Sequence, residues 1–266
     1  MIEINYFWHG KSFSNLEILT FTSAWKNNHQ PVIWTYEGEI KGAPSFIKLK
    51  DATTLIPRGK FDYFLNELKL PIANISDIVR YAILIKYGGI YSDTDIVILK
   101  NLAHIRDEEY FCSTFEYIYG ELANGCLFKL KANSEIAHYL SSQCELRIKE
   151  IELKRNIKFD YCYLGPFLIQ QCAVEKQISI LSYDVINPIS WRWVSKIIAF
   201  EKPDYKFIVK NILRILLQKD TRGYRVTKNT FAIHLSNEVW RHQFLDKNKT
   251  FHKWSKYEML KRKYLK

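Results

Sequence analysis

The sequence predicts one α/β domain built on a Rossmann-like mixed sheet flanked by helices, and three observations carry that prediction. The chain opens as strand, helix, strand, with apolar runs at 2–8 and 31–35 on either side of a cappable helix. A second helical pattern runs into Gly88-Gly89 and emerges as a strand. Finally, 266 residues that are 47% hydrophobic and 15% aromatic suffice for one large core. No Pro/Gly/Ser-rich linker, low-complexity stretch or internal repeat divides them.

Ile2–Trp8 reads as a short buried strand. Ser14 is placed to cap a helix through about Asn27, with Leu16, Leu19 and Trp25 among its apolar positions. Pro31–Thr35 is a second strand, whereas residues 37–60 are harder to read and include loops. In 74–99, Asn74 or Ser76 is the expected cap of a helix with Ile78, Ala82 and Ile85 at helical spacing. Ile90-Tyr91 then begins a strand, Asp93 and Asp95 sit on a turn, and Ile96–Leu99 resumes extended structure. Tyr110–Phe115, Cys126–Lys129, Ile178–Leu181 and Phe231–Leu235 are further strands. Helices are expected at 134–150, capped by Ser134, and at 205–217, a basic amphipathic segment.

The N-terminus has neither a basic region nor a long apolar run, which argues against a signal peptide, and no apolar stretch reaches membrane-spanning length. The five cysteines are widely spaced without a CxxC pair, as expected of reduced thiols in a cytoplasmic protein. The net charge is +11, and residues 241–266 alone hold nine Lys or Arg against two acids. Trp254, Tyr257, Leu260, Tyr264 and Leu265 interleave with those cations. That composition reads as a basic aromatic C-terminal tail, either simply solvated or, with Trp191-Arg192-Trp193 and the 205–217 stretch, touching an anionic membrane at its inner face. Nucleic acid is not expected, because no recognition motif accompanies the charge.

Two carboxylates one residue apart on a turn, Asp93-Thr94-Asp95, are a ready ligand pair for a hard divalent cation such as Mn2+ or Mg2+. Such a cation bridges the phosphates of a nucleoside diphosphate. An isolated Asp-x-Asp says little, but its setting is specific. Ser76-Asp77-x-x-Arg80-Tyr81, Lys86-Tyr87-Gly88-Gly89-Ile90-Tyr91 and Asp93-Thr94-Asp95 follow one another in about twenty residues. This run resembles the sugar-binding region of the DXD glycosyltransferases of family thirty-two and, more distantly, the clostridial glucosylating toxins. Weaker similarities extend along the chain: Tyr6-Phe7-Trp8, Asn124-Gly125, Tyr163-Leu164-Gly165-Pro166, and Ala232-Ile233-His234 with Trp240.

The resemblance implies a GT-A-like single domain over 1–240, donor-binding in about 1–130 and acceptor-facing in about 131–240, followed by the tail 241–266. It implies a nucleotide-sugar donor, UDP-linked by preference although GDP remains open, and retention of anomeric configuration by front-face substitution. Asp93, Asp95 and Arg80 are the implied catalytic residues. Trp8, Asp77, Arg80, Tyr91, Asp93, Asn124, Gly165 and Trp240 are the implied donor contacts. Asp93, Asp95 and His234 are the implied metal ligands; whether Ser236, Asn237 or Glu238 joins them is open, because Glu238-Val239 stand where relatives carry Ser before the closing Trp. For Trp8 a packing role is the competing expectation, as it is for Trp191 and Trp193, and for Asp77 and Arg80 a local ion pair.

The acceptor expected is a glycan or lipid-linked glycan of bacterial surface polysaccharide or lipopolysaccharide. Two other readings stay open: an effector that glycosylates protein, and a non-catalytic nucleotide-sugar-binding or membrane adaptor protein. A DxDxV phosphatase reading fits poorly, since that motif should follow an N-terminal strand.

Overall fold

The computed structural model describes residues 1–154, 159–217 and 219–266. Its eight strands, among the described residues, are β1 (Ile2–Trp8), β2 (His29–Thr35), β3 (Lys48–Asp51), β4 (Gly89–Ser92), β5 (Ile96–Ile98), β6 (Tyr110–Glu116), β7 (Gly120–Leu130) and β8 (Ala232–His234). The α-helices are α1 (Asn15–Lys26), α2 (Arg58–Asp62), α3 (Ile72–Tyr87), α4 (Glu135–Leu153), α5 (Pro166–Lys176), α6 (Tyr183–Ile186), α7 (Tyr205–Leu216), α8 (Asn237–His242) and α9 (Lys256–Tyr264).

Six strands form one sheet in the order β3-β2-β1-β4-β7-β6. β1 to β4 run parallel, and β7 and β6 add on antiparallel, so the sheet is mixed as expected. The chain builds outward from β1 to β3 and then returns to place β4 on the other side of β1. That reversal opens a crevice at the carboxyl ends of β1 and β4, where α/β sheets characteristically bind ligands. Trp8 ends β1 there, and Asp93 leaves β4 at the same edge. β5 and β8 pair separately as a two-stranded antiparallel ribbon, with Ile96 opposite His234, and this register carries the late segment to the carboxylate turn.

Alternating strand residues bury opposite faces of the sheet. Ile4, Tyr6 and Ile33 join α1 on one side, while Phe7, Val32 and Trp34 join α3, α4 and α5 on the other. Helix α1 begins as the sequence predicts, in a full capping box between Ser14 and Glu17. Helix α3 does not: it starts at Ile72 behind Pro71, and both expected caps lie inside it. Asn74 donates instead to the Tyr161 carbonyl at 2.8 Å, and the Ser76 hydroxyl lies 2.9 Å from that of Tyr91. The predicted end holds, because Gly88 (φ +62°) closes α3 where a Cβ would lie 2.4 Å from the Ala132 nitrogen.

Residues 37–60, hard to read in sequence, hold loops and strand β3, which is hydrogen-bonded to β2 at the sheet edge. Other expectations need correction. Ile178–Leu181 is no strand; only Ile180 bridges to Phe111. β7 begins at Gly120, which puts Asn124-Gly125 inside the strand. Residues 241–266 do not trail from the body. Helix α9 folds back on α1, burying Tyr257, Leu260 and Tyr264 with Phe251, Trp240, Val97 and Ile233. Three of the aromatic and apolar side chains expected at a membrane are therefore core. No described helix is long and apolar enough to cross one.

Candidate active site

Helix α3 delivers Asp77 and Arg80, one turn apart, to the crevice, and both are buried. The Arg80 guanidinium acts as a hub. Its Nη1 donates to the Gly125 carbonyl at 2.7 Å, and its Nη2 reaches Asp93 Oδ1 at 2.8 Å and Asp77 Oδ1 at 3.1 Å. Its carbon lies 4.9 Å from the Tyr91 ring centroid, a cation–π contact. Burial alone would lower the Arg80 pKa, but Asp93 and Asp77 outweigh it and hold the group well above its usual value. The expectation of an ion pair between Asp77 and Arg80 is met, and Asp93 joins it.

Gly165, preceding Pro166 at the start of α5, is explained by the same cluster. A Cβ there would lie 2.6–2.8 Å from the Asp77 carboxylate, so only glycine lets α5 approach this closely. Burial drives Asp77 up to about 6, against the opposing pull of Arg80 and Asn74. Asp93 is pushed up to about 7, again chiefly by burial, with Arg80 opposing and the Asp95 charge adding to the rise. A nearby positive charge would favour the ionised form of Asp93 against its burial.

Asp95 is held differently. Its Oδ2 accepts from the Asn237 backbone amide at 2.6 Å and lies 3.1 Å from His234 Nε2. Burial works to raise Asp95, but His234 and the Asn237 amide prevail and keep it below the usual carboxylate value. Burial likewise works to lower His234, while Asp95 leads the interactions that hold it well above its usual value. His234 Nδ1 faces Asn187 Oδ1 at 3.0 Å, and Asn187 Nδ2 donates to the Ser113 carbonyl at 2.6 Å, which fixes that amide's orientation. Both imidazole nitrogens thus face acceptors, the arrangement of a doubly protonated ring.

The expected three-ligand set of Asp93, Asp95 and His234 is therefore not assembled: Asp93 turns to Arg80, and His234 is occupied by Asp95 and Asn187. No described group of three His, Cys, Asp or Glu side chains gathers as a metal site. The two carboxylates still suit a hard cation whose other ligands are phosphate and water oxygens. Asn237 supports this, because its side-chain oxygen is buried beside the cluster with no hydrogen-bond partner among the described residues. In the segment before Trp240, the Asn237 backbone amide holds Asp95, Ser236 makes the turn at φ +56°, and Glu238 turns away to Arg241 and His242.

The remaining expected residues separate into two groups. Asn124 sits on β7 beside Gly125, its Oδ1 accepting from the Cys126 amide at 2.8 Å. Trp8 lies at the crevice edge, half-buried, with its indole N–H on the Gly10 carbonyl and its ring against Phe13. Trp240, by contrast, does not line the site. It is fully buried, donates to the Leu235 carbonyl at 2.8 Å, and packs edge-on against Phe251 and Tyr257. The sequence reasoning missed Asn187, which no local pattern marks, and the Gly125 carbonyl, which is invisible in a side-chain reading.

With this geometry established, residues 15–112 match the family described as "Glycosyltransferase sugar-binding region containing DXD motif". The match runs from α1 into β6 and includes Asp77, Arg80, Tyr91, Asp93 and Asp95. No curated protein is matched in sequence. Among solved structures, mouse xyloside xylosyltransferase 1 in its apo form aligns over 90% of this chain and 98% of its own, at 9% identity and a TM-score of 0.50. The PaToxG glycosyltransferase aligns over 90% and 83% at 16% identity, with a TM-score of 0.49. The UDP-bound glycosyltransferase domain of the YGT toxin aligns over 68% and 78% at 9% identity, with a TM-score of 0.46. The fold is thus the expected α/β, GT-A-like one.

Proposed function

We propose that the protein is a retaining glycosyltransferase that moves a hexose or N-acetylhexosamine from a UDP-linked donor to a glycan acceptor, using Mn2+ or Mg2+. Bacterial surface polysaccharide or lipopolysaccharide is the acceptor class we favour, from the capsule-type resemblance of the 74–99 run. Residues of about 1–130 would bind the donor, and those of about 131–240 would face the acceptor.

One observation carries the reading: the Asp77–Arg80–Asp93 chain, with Asp77 and Arg80 buried and Asp93 partly exposed to the crevice, stands beside Asp95–His234 at the point where the sheet reverses. Burying charges such as Asp77, Arg80 and Asp95 is a poor way to stabilise a fold, and perturbed carboxylates in a crevice are characteristic of function. Bound by Asp93 and Asp95, the divalent cation would neutralise charge on the departing diphosphate.

The chain's own residues do the rest. Arg80, fixed on three sides, would offer its guanidinium to the diphosphate with no reorganisation needed at the moment of reaction. Asp77 would orient Arg80 and accept hydroxyls of the donor sugar, against a wall formed by Tyr91, Asn124 and Gly165. Trp8, across the crevice, would present its indole to the base. His234 and the Asn237 amide would hold Asp95 in place. Asp77 and Asp93 are both engaged by Arg80, so neither is free as a nucleophile, which favours front-face substitution. The bond from the anomeric carbon to the diphosphate oxygen breaks, the acceptor oxygen bonds on the same face, and the acceptor proton passes to a donor phosphate oxygen.

The test is thermal shift and donor hydrolysis across a panel of nucleotide sugars, with and without Mn2+. Stabilisation by one UDP-sugar only when metal is present, with slow UDP release that Asp95→Asn eliminates, is the expected result. No response to any donor would leave only a binding or adaptor role, and phosphate release from simple phosphoesters would point to a phosphatase.

A further inference from the structure

Helix α7 is mounted inside out. At 100° per residue its apolar side chains Tyr205, Val209, Ile212, Leu213 and Leu216 share one face, and each of them is at least half exposed. The helix meets the body through its other side. Phe207 stacks near Trp193 and Tyr224, with ring centroids 5.1 and 6.1 Å away, and the Arg214 guanidinium lies 5.1 Å from the Tyr224 ring. No residue of α7 is buried. A helix that only covered a core would be turned the other way.

A second element continues this surface. The β6–β7 hairpin ends in Tyr117-Ile118-Tyr119, and Ile118 and Tyr119 are 83% and 74% exposed. The Tyr117 hydroxyl donates to the Arg222 carbonyl at 3.5 Å, two residues before the Tyr224 ring that α7 packs against. The hairpin tip and α7 therefore meet the same 222–224 segment.

The charge on this surface identifies its partner. Lys206, Lys210 and Arg214 lie along the helix, Lys219 follows it, and no acid occurs from 205 to 217. Cations flanking an exposed apolar stripe match the anionic headgroups and acyl chains of a bilayer surface. We infer that α7, with the Tyr117–Tyr119 tip, lies in the plane of an anionic membrane and attaches the protein there. This narrows the expected membrane contact from the C-terminal segment, where Tyr257, Leu260 and Tyr264 are internal, to the 205–217 stretch. The inference does not depend on the transferase reading, since attachment is measured without donor or acceptor.

The experiment is co-sedimentation with vesicles of phosphatidylcholine alone and of phosphatidylcholine mixed with phosphatidylglycerol, alongside the oligomeric mass in solution. The protein should pellet with the mixed vesicles and remain in the supernatant with phosphatidylcholine. The combined variant Ile212→Ser, Leu213→Ser, Leu216→Ser should lose binding at an unchanged Tm, because these side chains are already exposed. Lys206→Gln with Lys210→Gln should weaken binding by roughly 5-fold per lysine. Equal binding by the triple variant, or no binding to anionic vesicles by the parent protein, would overturn the inference. A dimer that the triple variant dissociates, without vesicle binding, would also overturn it and assign the face to a second copy.

Discussion

Arg80 concentrates the chemistry of the site in one side chain. Its planar fork satisfies a carbonyl and two carboxylates in different directions, which a lysine ammonium on a flexible stem cannot reproduce. In Arg80→Lys at least one of Asp77 and Asp93 is left buried without its cation, and the donor phosphates lose a preorganised partner. Donor hydrolysis should therefore fall by about 100-fold or more, the usual scale for removing a fixed charge-stabilising donor. The Tm should drop as well, because an unpaired buried carboxylate costs stability. Steady-state hydrolysis beside a thermal melt checks both, and full turnover in the lysine variant would show that the guanidinium geometry is irrelevant.

At the scale of elements, the site exists because several junctions bring backbone unusually close to charged side chains. Gly165 is the tightest of them. Any Cβ there meets the Asp77 carboxylate at 2.6 Å, so Gly165→Ala must push α5 or Asp77 aside. The expected cost is about 1–3 kcal/mol, as for overpacking elsewhere, and donor affinity should fall because Asp77 moves. Comparing Tm and donor KM in this variant separates strain from site distortion; unchanged values in both would mean that α5 yields freely. Such junctions also divide what the sequence reveals from what it hides. The box of Ser14 with Glu17 and the Gly88 stop are local signals, and the structure obeys both. The start of α3 was misread because Asn74 and Ser76 look like caps, yet their side chains serve tertiary partners while Pro71 precedes the first turn. Strand β3 was missed because Lys48-Leu49-Lys50-Asp51 is a mostly exposed edge strand with no core periodicity. The carboxylates and Arg80 were legible from spacing. Asn187 and the Gly125 carbonyl were not, since only the tertiary fold brings them to His234 and Arg80.

For the whole molecule, the largest difference from the sequence reading is the fate of the last twenty-six residues. Their charge is real, but it lies on the outer side of a segment whose apolar residues close the core. Lys261 and Lys249 pair with Glu258 and Glu201, and Lys247 reaches the buried Glu17 of the α1 capping box. Tyr257, Leu260 and Tyr264 are nearly inaccessible and cover Trp240, whose indole N–H holds the Leu235 carbonyl just before the turn that carries Asn237 to Asp95. At about 1.5–3 kcal/mol for each large buried apolar side chain, these three alone contribute on the order of 5–9 kcal/mol, comparable to the whole net stability of a domain, about 5–15 kcal/mol. Removing 245–266 should consequently not yield a soluble enzyme that has merely lost a membrane tether. It should give a protein that is insoluble or melts well below the parent, with donor hydrolysis lost because the support beneath Asn237 and Asp95 is gone. Thermal melts and hydrolysis by the truncated chain test this directly. A truncated protein with the parent's Tm and turnover would mean that α9 is an accessory to the fold, and that the Asp95 turn is supported by β5 and β8 alone.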